Sequence, residues 1–170
     1  MKILIVSDIH GGYENIKKVL EDNPSFDYLF LLGDILSSNS EKSKMLAELL
    51  NSYNQKIVAV RGNCDYINLD MLDFSVTQPY VTIPVDHKLY FLTHGHLYDR
   101  YNTPNSDYDV YIQGHTHIPK MELDDGKLFL NPGSVSLPRG MSKKSYIFCN
   151  DLEFQLKSVE ENKVLKKIIM

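Results

Sequence analysis

ILIVSDIH, residues 3–10, is an apolar run that stops at a carboxylate and an imidazole two positions apart. Short apolar runs of this kind read as buried strands, and in open α/β sheets chemistry gathers beyond the carboxyl ends of such strands. Four further stretches repeat the arrangement: YLFLLGD at 28–34, IVAVRGNCD at 57–65, LYFLTHGH at 89–96 and VYIQGHTH at 110–117. Together they deliver Asp8, His10, Asp34, Asn63, His94, His115 and His117 to one edge of a sheet.

Between these stretches the pattern is helical. Ile16, Val19 and Leu20 fall at helical spacing within 14–21, and Pro24 follows as a stop. Met45, Leu46, Leu49 and Leu50 repeat the stripe within 41–53, after Ser40 as N-cap. Beyond residue 78 strands dominate, with hairpins expected at Asp86-His87 and at Asp125-Gly126, and a further strand pair, 145–150 and 153–160, joined near Asn150-Asp151. Parallel strands first and antiparallel strands later imply an α/β fold: two β-sheets packed face to face and flanked by helices.

The 170 residues, 43% hydrophobic and 24% charged, are expected to form a single domain, 1–170, with a sizeable core. A net charge of −4 excludes broad electrostatic binding to nucleic acid. No apolar stretch approaches the roughly 18 residues of a membrane helix, so a cytoplasmic protein without membrane partners is expected. Cys64 and Cys149 form no C-x-x-C pair and are expected to stay free thiols. Exposed strands in the C-terminal half permit a homodimer or homo-oligomer.

The ligand set carries its own chemistry. Asp8 and His10, two apart on an extended strand end, point the same way, and His115 and His117 repeat the geometry. Imidazole with carboxylate and amide oxygen, and no thiolate pair, favours Mn, Fe, Zn, Ni or Co in an open catalytic site over a structural zinc site. Seven ligands exceed one tetrahedral ion and suit two ions sharing a carboxylate, with Asp34 as the candidate bridge. Two ions roughly 3.5–4 Å apart acidify a water between them and clamp the attacking and leaving oxygens of a phosphoryl displacement.

The ordered set D-x-H at 8–10, G-D at 33–34, G-N-C-D at 62–65, H-G-H at 94–96 and G-H-T-H at 114–117 resembles the calcineurin-like metallophosphoesterases. It is similar in particular to their small single-domain YfcE-type phosphodiesterase branch, which also has Asn131-Pro132-Gly133-Ser134 after the last motif. The resemblance implies the family's four-layer αββα sandwich and two divalent ions, most commonly Mn2+. Asp8, His10, Asp34 and His117 would hold the first ion, and Asp34, Asn63, His94 and His115 the second. His96 would lean on the substrate phosphate. Cys64 stands where the wider superfamily has a histidine acid. That histidine acid is then missing, and the thiol, His96 or a metal-bound water is left to protonate the leaving group. Loss of the acid suits esters with good leaving groups, so a small phosphodiester or nucleotide-like substrate is expected. A phosphomonoesterase or nucleotidase using the same ions, or a scaffold that keeps the fold without turnover, are the alternatives. Asp65 and the 131–134 segment are expected to brace the site, and Arg100 or Arg139 is a candidate to contact phosphate, with nothing in the sequence to choose between them.

Overall fold

The computed structural model describes residues 1–105 and 107–170. Each of the five apolar runs contains a strand: β1 (Lys2–Val6), β2 (Tyr28–Leu31), β3 (Ile57–Ala59), β5 (Lys88–Thr93) and β6 (Val110–Ile112). The remaining strands are β4 (Tyr80–Val85), β7 (Lys120–Asp124), β8 (Lys127–Asn131), β9 (Ser145–Asn150), β10 (Glu153–Ser158) and β11 (Val164–Ile169). Two α-helices, α1 (Tyr13–Asp22) and α2 (Ser40–Asn51), connect the first three strands. One mixed sheet runs β11-β10-β9-β1-β2-β3 and the other β4-β5-β6-β8-β7.

Side-chain alternation explains the layering. In β1 and β2, Leu4, Val6, Leu29 and Leu31 point to one face and meet Ile16, Val19, Leu20, Leu46 and Leu50 of the helices. Ile3, Ile5 and Phe30 point to the other face and meet Tyr90, Leu92, Val110, Ile112, Leu128 and Leu130 of the second sheet. Strands apolar on both faces are what a buried central position requires. The expected pair of packed, helix-flanked sheets is therefore present. Both helices cover the six-stranded sheet. The outer face of the five-stranded sheet is closed by Phe91, Tyr108 and Tyr111, with Tyr80 and Phe129 packed against them, and no helix covers it among the described residues.

Three local details differ from the sequence reading. The N-cap of α2 is Asn39, whose side chain accepts from the Lys42 N–H. Its stripe is shifted: Met45 is 48% exposed, while Ser43 and Ala47 are buried. Ser43 tolerates burial because its hydroxyl donates to the Ser37 carbonyl and accepts from the Ser37 N–H. The β9–β10 turn is formed by Asp151 and Leu152, both at positive φ, one residue later than expected. Pairing also departs from a simple parallel-then-antiparallel order. β5, β6 and β8 are parallel within the second sheet, and β9 returns to pair antiparallel with β1.

Candidate metal centre

The carboxyl ends of β1, β2, β5 and β6 lie together because their following loops are hydrogen-bonded to one another. His10 N–H donates to the Asp34 carbonyl at 2.9 Å, and Gly114 N–H donates to the His94 carbonyl at 3.0 Å. The approach is close enough that a Cβ on Gly114 would collide with Ser7 Oγ, and one on Gly62 with Asp34 Oδ1. Asp8, His10, Asp34, His115 and His117 all sit at φ between 46° and 65°. Non-glycine residues reach that region at a cost, and outside turns such strain concentrates at functional sites.

The side chains converge in three overlapping groups. One ligand atom from each of Asp8, His10 and His117 lies within 4.8 Å of the others, and the same holds for Asp8, Asp34 and His94, and for His10, Asp34 and Cys64. Asp34 Oδ2 stands between two imidazoles, 3.6 Å from His10 Nε2 and 3.5 Å from His94 Nε2. Asn63 Oδ1 lies 3.0 Å from the same His94 nitrogen. The His115 ring neighbours His94 at 5.1 Å between centroids, and its backbone N–H donates to Asp8 Oδ2. His96 stands behind these, 5.2 Å from the His94 ring.

Hydrogen bonds on the far side of each ring fix which nitrogen faces inward. His94 Nδ1–H donates to the Leu32 carbonyl at 2.7 Å, and His117 Nδ1–H donates to the Leu137 carbonyl at 2.6 Å. Nε2 is therefore the inward nitrogen of each ring, His94 toward Asp34 and Asn63 oxygens, His117 toward Asp8 Oδ1 at 3.2 Å. Burial, the largest influence, pushes the His94 pKa down to about 4, so this ring is neutral at physiological pH. Asp8 Oδ1 and His10 Nε2 are buried without a hydrogen-bond partner. Lone pairs aimed at one another in a buried space are unfavourable unless a proton or a cation lies between them, and the donor set suits a divalent ion.

Backbone and polar groups around the cluster brace it. Asp65 Oδ2 accepts from the Asp34 and Gly62 N–H groups, and Oδ1 accepts from Ile35 N–H, so it holds the turns that carry Asp34 and Asn63. Asn131 Nδ2 donates to the Gly114 carbonyl, and Ser134 Oγ donates to the Asp8 carbonyl. Both bracing expectations hold. Ser7, whose hydroxyl donates to Asp8 Oδ2 at 2.7 Å, was not singled out from the sequence, although it directly precedes the first ligand motif. Tyr108 and Tyr111 belong to the outer aromatic cluster, whereas Tyr101 is 85% exposed. Cys64 and Cys149 are both free thiols, and Cys149 is buried in the core.

Burial, more than any other influence, raises the Asp8 pKa to about 7. In the metal-free protein the folded state keeps this proton up to about pH 7, whereas an unfolded aspartate releases it near pH 4. Metal-free stability therefore falls as pH rises from about 4 to 7, by on the order of 4 kcal/mol. Asp8→Asn should raise the Tm of chelator-treated protein at pH 8 and change it little at pH 4. Melting curves at both pH values check this, and an unchanged or lower Tm at pH 8 would contradict it.

Residues 1–152 match the family model of the calcineurin-like phosphoesterase superfamily domain. The phosphodiesterase YfcE of Escherichia coli K12 is 37% identical over 157 residues, covering 86% of this chain and 85% of YfcE. The solved structure of YfcE superposes with a TM-score of 0.87 at 31% identity, covering 99% of this chain and 98% of that one. Vps29 of Entamoeba histolytica, with a TM-score of 0.71 at 20% identity and coverage of 100% and 99%, shares the fold.

Proposed function

Since the chain belongs to the calcineurin-like phosphoesterase superfamily, we propose that it is a metal-dependent phosphodiesterase acting on small diesters. Asp8, His10, Asp34 and His117 would hold one divalent ion, and Asp34, Asn63, His94 and His115 would hold a second. Mn2+ is the first choice, and Ni2+, Co2+, Fe2+ and Zn2+ suit the same donors. The observation that carries this reading is the place of Asp34 Oδ2 between the inward nitrogens of His10 and His94, at 3.6 and 3.5 Å. One carboxylate there can serve both ions.

Two such ions, when bound, acidify a water and offset charge on the attacking and leaving oxygens. The chain supplies the rest. The Leu32 and Leu137 carbonyls keep His94 and His117 in the tautomer that ligates. His96, half-buried beside His94 and His115, can donate from its ring to a phosphoryl oxygen as negative charge develops. His96→Ala should lower kcat by about a hundredfold. In the metal-free protein burial first, then Asp34, pushes the Cys64 thiol up to about 11, which makes it a poor acid there. Cys64→Ser should therefore lower kcat by less than about tenfold, a smaller loss than that of one charge-stabilising donor. Steady-state rates on one aryl diester check both, and a reversed order of the two losses would exchange their roles.

The reading is tested with chelator-stripped protein, with and without Mn2+, on a bis-aryl phosphodiester and the matching monoester. Metal-restored cleavage with the higher kcat/KM for the diester is expected. Preference for the monoester would make the protein a phosphatase, and no metal-restored turnover of either ester would overturn the proposal.

A further inference from the structure

The chain has three arginines, Arg61, Arg100 and Arg139, and their partners separate them. Arg100 donates to Glu122 Oε2 at 2.9 Å and to Asp124 Oδ2 at 2.7 Å, and its guanidinium lies 4.1 Å from the Phe129 ring centroid. Two carboxylates and a ring occupy it. Arg61 donates from Nε to the Asp65 carbonyl at 3.3 Å, which ties it to the turn carrying Asn63. Arg139 is exposed and has no carboxylate partner among the described residues.

The backbone beneath Arg139 is locked to the metal edge. His117 Nδ1–H donates to the Leu137 carbonyl at 2.6 Å, and the Arg139 N–H donates back to the His117 carbonyl at 3.2 Å. Leu137 N–H donates to Ser134 Oγ, whose hydroxyl donates to the Asp8 carbonyl. On the other side, the Ser142 N–H and hydroxyl both donate to the Arg139 carbonyl, at 3.1 and 2.6 Å. A continuous set of hydrogen bonds thus links Asp8, Ser134, Leu137, His117 and Arg139. The Arg139 Cα cannot move without disturbing His117, so an exposed side chain leaves a preorganised base. A net charge of −4 repels anions at long range, and an exposed arginine on the segment bonded to His117 offsets that locally.

We infer that Arg139 binds the substrate phosphate, donating from its guanidinium to a nonbridging phosphoryl oxygen on the Asp8–His117 side of the site. The inference rests on the phosphoesterase reading and deepens it. The planar fork of a guanidinium matches two phosphate oxygens, which an ammonium does not. Because the contact exists with bound substrate and transition state alike, its loss raises KM more than it lowers kcat. It acts more strongly on dianions, so inorganic phosphate and monoesters lose more affinity than a singly charged diester.

The test compares Mn2+-loaded wild type, Arg139→Ala and Arg139→Lys. For the alanine variant the KM of a bis-aryl phosphodiester should rise about tenfold with kcat held within about threefold, the lower range for a charged hydrogen bond. Calorimetric titration with inorganic phosphate should show affinity weakened by about tenfold or more, with Tm and Mn2+ affinity unchanged. Guanidinium chloride should restore part of the lost kcat/KM, and sodium chloride at equal ionic strength should not. Lysine should recover an intermediate value. Unchanged KM together with unchanged phosphate affinity would overturn the inference. A lowered Tm with weakened Mn2+ binding would also overturn it, assigning Arg139 to bracing. If wild type cleaves neither ester, the activity reading fails separately, and the phosphate titration still decides Arg139.

Discussion

Asp34→Asn should reduce kcat on an aryl phosphodiester by about a thousandfold or more, roughly 4 kcal/mol of transition-state stabilisation, without unfolding the protein. The substitution keeps every contact that shapes the loop. Asn can still accept the Cys64 N–H hydrogen bond made by Asp34 Oδ1, and the Asp34 N–H still donates to Asp65. What disappears is the charged Oδ2 between His10 and His94. A neutral amide there can hold one ion weakly and cannot be shared as a carboxylate is, so Mn2+ uptake should fall by one equivalent. Activity within tenfold of wild type, with an unchanged metal titration, would show that Asp34 is not the bridge.

Asp65→Ala should destabilise the fold by about 3 kcal/mol or more, because it leaves three N–H groups, of Asp34, Ile35 and Gly62, without their acceptor. Asp65 is 1% exposed, and a small cavity cannot supply water to all three. Those N–H groups belong to the turns that present Asp34 and Asn63, so the metal affinity should fall with the stability. Asp65→Asn, which keeps an acceptor oxygen, should lose less of both. Denaturant titration in the presence of chelator isolates the structural part. A loss under 1 kcal/mol would mean that the turns hold themselves without this carboxylate.

Strand positions were readable from the chain because a doubly covered strand must be apolar on both faces, and the candidate ligands were readable because they end those strands. Pairing was not. β5, β6 and β8 carry the same apolar signature whether their neighbours run parallel or antiparallel, and nothing local announces that β9 pairs with β1. Asn39 and Ser40 are both good N-caps, so spacing alone could not choose between them. The groups that orient His94 and His117 are the carbonyls of Leu32 and Leu137, and a backbone carbonyl leaves no mark on residue type. Arg100 and Arg139 were equivalent in the sequence until carboxylates on β7 claimed the first.

The most direct test follows hydrolysis of a bis-aryl phosphodiester while chelator-stripped protein is titrated with Mn2+. A dinuclear centre predicts no turnover without metal and a rise that reaches its plateau at two equivalents per chain. Full activity at one equivalent, or turnover indifferent to chelator, would contradict it.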